Sequence, residues 1–345
     1  MTTENQNYID YLQGRALRTA PQAEIWLSVR SYIVKMVFLG ISPTDIMRLN
    51  LNYLTTTPKE TADETVYIWE DSLDALIERS VIPEDQRFIH YHQTEEYHIL
   101  FPGEVLRFAA RFNESRTTFV CFEHGSVFPE SYINKPFVNE LQWWMLEDYL
   151  LLHGAVVGVN GKGALITASS GSGKSTLALS GLLEGMNYLA EDYVLVSRRG
   201  PAIAYPIFTT GYVTSDTLQM LPELKDKILL YVPRRDKYLI DLSAFDDLFL
   251  DEIPLSVMVF PLVTDLPSIQ VEKASSVKPF MDALTTTAKQ IESCERFADS
   301  FKLLFARMKT IPSYQLNLTK DTRKNAHEFR EFLENYGGVK YGSHN

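Results

Sequence analysis

The chain has 345 residues, 45% of them hydrophobic, and a formal net charge of −11. That length can bury one large core or two smaller ones. The negative balance argues against a nucleic-acid partner, because the only dense basic runs, Arg198-Arg199 and Arg234-Arg235-Asp236-Lys237, are too short to track a phosphate backbone. Two cysteines, Cys121 and Cys294, stand far apart without metal-ligand neighbours, which predicts no disulfide framework and a reducing compartment. The first residues lack the apolar segment of a signal peptide, and the longest near-apolar stretch, LSVMVFPLV at 255–263, is far short of a membrane span. The expectation is a soluble, cytoplasmic protein with no membrane partner.

In chain order, residues 1–20 read as a polar lead-in. EIWLSVRSYIVKMVF, 24–38, is β-branched and aromatic, and predicts one long strand or a hairpin. Ser42-Pro43 starts a helix carried by IMRLNLNYL. A loop at 55–64 leads to the strand TVYIWED, and further strands are expected at 88–101 and 105–123. Residues 1–135 thus form a β-rich N-terminal domain, and 136–345 a second domain. PFVNELQWWMLEDYL, 136–150, predicts a helix whose Trp143 and Trp144 pack into core. Then strand and helix alternate: AVVGV, ALITA, a glycine loop, a helix over 174–184, and the strand YLAEDYVLV. Strands near 203–213, 228–241 and 255–262, a helical stretch over 279–308, the strand SYQLNL and a helix near 322–335 complete an α/β pattern.

ASSGSGKS, Ala168 to Ser175, matches a P-loop except that alanine replaces the first glycine. An apolar strand delivers the chain to small residues whose amides can converge on an anion, and the following helix adds its positive end. Ser170, Gly171, Ser172, Gly173, Lys174, Ser175 and Thr176 are the candidate phosphate contacts. Lys174 supplies the cation for the outer phosphates of ATP, and the Ser175 hydroxyl is placed for Mg²⁺. A serine–glycine turn entering an ordinary helix is the bland alternative. Glu191-Asp192 lies seventeen positions after Lys174, inside an apolar run. Paired carboxylates there are costly to desolvate unless they hold a metal, a cation or a proton in transit, or unless they simply end a strand in solvent. On a strand the two would face opposite ways. His153, in LLHGA, stands at a strand entrance with either a structural or a catalytic role.

These elements together, His153-Gly154, the loop 168–175 and Ala190-Glu191-Asp192, resemble the HPr kinase/phosphorylase superfamily from about Leu151 to Ser197. The resemblance implies a phosphoenolpyruvate-carboxykinase-like P-loop catalytic domain that uses ATP and Mg²⁺. It makes Glu191 the base toward a substrate serine, Asp192 and Ser175 the metal side, and puts His153 near the base or the phosphates. Two features depart from the family: its first acid is usually aspartate, and its glycine-rich second signature is missing after residue 200. The missing signature weakens both HPr as the acceptor and the reverse phosphorolysis reaction. In length and layout the chain resembles the tailoring-kinase branch that phosphorylates the C-terminal serine of a lasso-peptide precursor.

The implied function is an ATP-dependent serine kinase with a peptide or protein acceptor. A small-molecule kinase and a non-catalytic nucleotide-binding regulator remain as alternatives, and homo-oligomerisation is open. His90, His92 and His98 with Glu95 and Glu96 fit a polar outer strand better than a metal site. Arg234, Arg235 and Lys237 read as a solvated turn or as contacts to phosphate.

Overall fold

The computed structural model describes residues 2–82, 91–100, 107–125, 135–145, 148–168, 171–274, 281, 285, 287 and 297–336. The chain divides into two compact units, mainly between Trp144 and Met145. Both combine helices and sheet, giving a mixed α/β protein.

The first unit opens with helix α1, Thr3–Ala16, where a polar lead-in was expected. Thr2 caps it by accepting from the amide of Asn5 at 3.2 Å, and Tyr8, Leu12 and Ala16 form a buried stripe at helical spacing. Around α1 lies a seven-stranded sheet built from β1 (Pro21–Val29), β2 (Tyr32–Leu39), β3 (Glu64–Asp71), β4 (Tyr91–Gln93), β5 (Tyr97–Leu100), β6 (Arg107–Phe112) and β7 (Thr117–Glu123). Its order is β1-β2-β3-β7-β6-β5-β4. The expected hairpin over 24–38 is β1–β2, turning at Arg30, whose φ is +61°. Helix α2, Asp45–Leu51, starts two positions later than Ser42-Pro43 predicts, because the Thr44 side chain supplies the cap. Helix α3, Leu73–Glu78, had no counterpart in the sequence reading. His90 lies outside the described residues.

Helix α4 spans Val138–Met145, shorter than the expected 136–150. Trp143 and Trp144 are buried, and the Trp144 indole donates to the Thr118 hydroxyl at 3.1 Å. Thr118 in turn donates to buried Glu64, which also accepts from Arg111. A buried carboxylate survives there because donors surround it.

The second unit is organised by a nine-stranded sheet from β8 (Tyr149–His153), β9 (Ala155–Val159), β10 (Lys162–Ile166), β11 (Asn187–Ala190), β12 (Tyr193–Ser197), β13 (Ile203–Tyr205), β17 (Ile253–Val263), β18 (Gln270–Lys273) and β19 (Ser313–Leu318). β17 runs parallel to both β10 and β19. Alternate residues serve the two faces: Val157, Ala164 and Ile166 join the cluster holding Leu177 and Leu182 of α5 (Lys174–Leu183) and Phe329 and Phe332 of α8 (Thr322–Asn335). Val156 and Leu165 join Leu304 and Met308 of α7 (Phe297–Met308). Between β13 and β17 the chain builds a separate antiparallel sheet, β14 (Thr210–Val213), β15 (Ile228–Val232) and β16 (Lys237–Asp241), in the order β14-β16-β15. Helix α6, Ser215–Met220, leaves β14. Most of the helix predicted before residue 297, including Cys294, falls outside the described residues.

One local expectation fails with consequence. YLAEDYVLV is not a single strand: β11 ends at Ala190 and β12 begins at Tyr193. Between them Asp192 adopts φ +70°, and the Tyr193 amide donates to the Glu191 carbonyl at 3.0 Å, closing a three-residue turn. The two acids are therefore arranged by a turn, not by strand alternation.

Candidate active site

Strand β10 ends at Ile166 and α5 begins at Lys174, so the glycine loop joins a sheet strand to a helix N-terminus as its sequence predicts. Gly171 and Gly173 take φ +82° and +91°, values that L side chains rarely adopt. Ser169 and Ser170 lie outside the described residues. Lys174 is only 8% exposed, so the loop's cation is drawn inward rather than left mobile at the surface. Its Nζ stands 3.8 Å from Glu191 Oε1 and 3.9 Å from Asp192 Oδ1.

Glu191 and Asp192 have separate surroundings. Glu191 is 1% exposed, and both its carboxylate oxygens are engaged. Oε1 accepts from the Ser175 hydroxyl at 2.5 Å, and Oε2 accepts from the Tyr212 amide at 3.2 Å. Asp192 lines a cavity beside the loop, with Oδ1 3.6 Å from His153 Nε2. The turn at φ +70° produces this division: one carboxylate goes behind the loop, the next into the cavity.

His153, the last residue of β8, pairs in register with Tyr193 across the sheet and meets its ring edge-on at 5.9 Å. It is 6% exposed, and its Nδ1 has no hydrogen-bond partner among the described residues. Burial pushes its pKa below the ordinary 6.5, with the Asp192 contact opposing that shift. Burial thus favours the neutral imidazole.

The cavity holds about 590 Å³. Gly171, Ser172, Lys174, Ser175 and Thr176 form its loop side, and Thr214, Thr217, Arg235 and Lys237 reach it from the small sheet and α6. The Ser172 hydroxyl is buried without a partner among the described residues, an orphan donor that suits an anion. The Thr176 and Thr217 hydroxyls lie 3.1 Å apart. Arg235 stacks over the Tyr212 ring at 5.0 Å, behind the amide that holds Glu191. Sequence reasoning flagged Arg235 and Lys237 but missed Tyr212 and Thr217. Thr214 caps α6 by accepting from the Thr217 amide. That capping pattern was readable, but nothing local announced a cavity.

The Ser175–Glu191 oxygen pair suits a hard cation completed by phosphate and water oxygens. Among the described residues no group of three or more His, Cys, Asp or Glu forms a metal cluster. His98 stacks on Trp143 at 5.6 Å. Among the described residues no helix is long and apolar enough to cross a membrane.

No family model matches the chain. Over 88 residues it is 33% identical to the HPr kinase/phosphorylase of Azoarcus sp. (strain BH72), covering 24% of this chain and 28% of that protein. The chain thus matches little more than a quarter of that relative's length. It is also similar to the structure of the Hpr(Ser) kinase/phosphatase from Coxiella burnetii, with 12% identity and a TM-score of 0.31, over 54% of this chain and 88% of that one. Both likenesses are to HPr kinases in the wider sense, and neither concerns a lasso-peptide kinase.

Proposed function

We propose that the protein is an ATP-dependent kinase that phosphorylates a serine hydroxyl in a peptide or protein. The observation that carries this reading is the meeting of Lys174, Ser175, Glu191, Asp192 and His153 beside a glycine loop at one cavity. The loop amides, the α5 N-terminus, Lys174 and Ser172 would cradle the phosphates of ATP. Ser175 and Glu191 would hold Mg²⁺, which when bound there offsets charge on the β- and γ-phosphates. Asp192 faces the cavity and would accept the serine proton as the serine oxygen bonds to the γ-phosphorus and the bond to the bridging oxygen breaks, releasing ADP. His153, with Nε2 3.6 Å from Asp192 Oδ1, would help hold that carboxylate in place.

This assignment reverses the roles expected for the two acids. Glu191 has both oxygens engaged and does not line the cavity, so it is the less able of the two to meet a serine there, while its bond to Ser175 sets it next to the metal-side hydroxyl. A carboxylate in the cavity can serve as the base that transfer needs and nucleotide binding alone does not, which favours a kinase. The narrower reading, a lasso-peptide precursor phosphorylated at its C-terminal serine, rests on length and layout. Single-turnover incubation with γ-labelled Mg-ATP tests these readings against a panel of serine peptides, lasso precursors, HPr and small alcohols. Phosphoserine on a peptide or protein is expected. Label found only on a small alcohol, or only in ATP, would contradict it.

A further inference from the structure

We infer that the open edge of β15 docks an acidic, extended peptide, which adds to the small sheet as a fourth strand. The designation of this peptide as the acceptor rests on the kinase reading; the edge itself does not.

Among the described residues β15 pairs only with β16, so its other edge presents unpaired backbone groups. Leu229 and Tyr231, 38% and 44% exposed, alternate along it with less exposed neighbours, the pattern that a strand-adding peptide reads. A bulge at Leu229 leaves Leu230–Val232 as the regular stretch. That is long enough to register a short segment and too short to template open-ended pairing.

Charge selects the occupant. Residues 225–237 carry five basic side chains against two acidic ones, in a chain whose net charge is −11. Lys225 and Lys227 flank the strand's start, and the turn at its end leads into Arg235 and Lys237, which line the cavity. A second copy of this chain would set like charges against each other, whereas an acidic peptide would neutralise them. A strand laid along this edge ends at the turn bearing Arg235, beside the cavity into which Asp192 faces. The edge would thus guide a chain toward the reacting centre.

Fluorescence anisotropy on the full chain, without nucleotide, tests the edge with a labelled peptide of alternating glutamate and valine. Saturable, salt-sensitive binding is expected. It should weaken about tenfold or more in the Lys225→Glu, Lys227→Glu double variant, and by a similar factor when the valine amides of the peptide are N-methylated. Mg-ATP affinity should not change, since neither lysine lines the cavity. Absent binding, equal binding of a lysine–valine peptide, or indifference to N-methylation overturns the inference. So does a dimer in sedimentation that the double variant dissolves, which would assign the edge to a second copy. If the peptide binds as expected but no serine receives phosphate, the kinase reading fails and the edge stands. If serine transfer proceeds while the peptide is ignored, the edge fails alone.

Discussion

At the scale of single residues, the two adjacent acids give the sharpest expectations. Asp192→Asn keeps the shape and tolerates positive φ but cannot take a proton, so single-turnover transfer should fall by about 10²–10⁴-fold with ATP affinity little changed. Glu191→Gln should instead raise the Mg²⁺ requirement and weaken nucleotide binding, because it alters the group bonded to Ser175. Normal transfer in Asp192→Asn together with loss in Glu191→Gln would restore the opposite assignment. His153 sets a pH dependence. Its folded pKa lies below 6.5, so between that lowered value and 6.5 the unfolded chain binds more protons than the folded one. Its contribution therefore destabilises the fold as pH falls below 6.5 and vanishes above it. Replacing it in His153→Gln should flatten the fall in stability below pH 6.5, measured by denaturant unfolding across a pH series. An unchanged slope would show that His153 does not carry the effect.

At the scale of elements, the turn between β11 and β12 does what no residue type could announce. The sequence showed an acidic pair in an apolar run, and the strand reading of that run followed from its periodicity. Only the three-dimensional path, with Asp192 at φ +70°, sends the two carboxylates to separate surroundings. Backbone conformation makes the turn testable: Asp192→Gly and Asp192→Asn both accept positive φ, so Asp192→Val should be less stable than either by about 1–2 kcal/mol. Equal midpoints for all three would remove the conformational argument. The glycine loop was legible because it is a contiguous pattern joining a strand to a helix, and β19 and α8 were legible from their periodicity. Helix α1 was missed because its few apolar residues are diluted by polar ones, although Tyr8, Leu12 and Ala16 recur every fourth position. Tyr212 and Thr217 were hidden for another reason. Strand pairing and packing across long separations bring them to the loop, and such contacts leave no mark in local sequence.

At the scale of the whole molecule, an acidic chain concentrates cations where its proposed substrate needs them. Lys174, Arg235 and Lys237 line one cavity in a protein of net charge −11. Buried Lys174 also stands between two carboxylates, so its removal affects both the fold and the phosphate site. Lys174→Ala should lose ATP binding and also lower stability by about 1–3 kcal/mol, because two buried acids lose their cation. Lys174→Arg should keep much of the stability while still impairing transfer, since a planar guanidinium fits a different contact geometry. Thermal unfolding with and without Mg-ATP separates the two effects, and a Lys174→Ala protein as stable as the wild type would discount the structural role. The central claim is phosphoryl transfer through this cavity. It is tested most directly by rapid-quench single-turnover assays with γ-labelled Mg-ATP and a phosphorylatable serine peptide, comparing the wild type with Asp192→Asn at saturating nucleotide. The account predicts phosphoserine formed by the wild type, and a slow or absent transfer step in the variant with nucleotide still bound; equal transfer rates in the two proteins would contradict it.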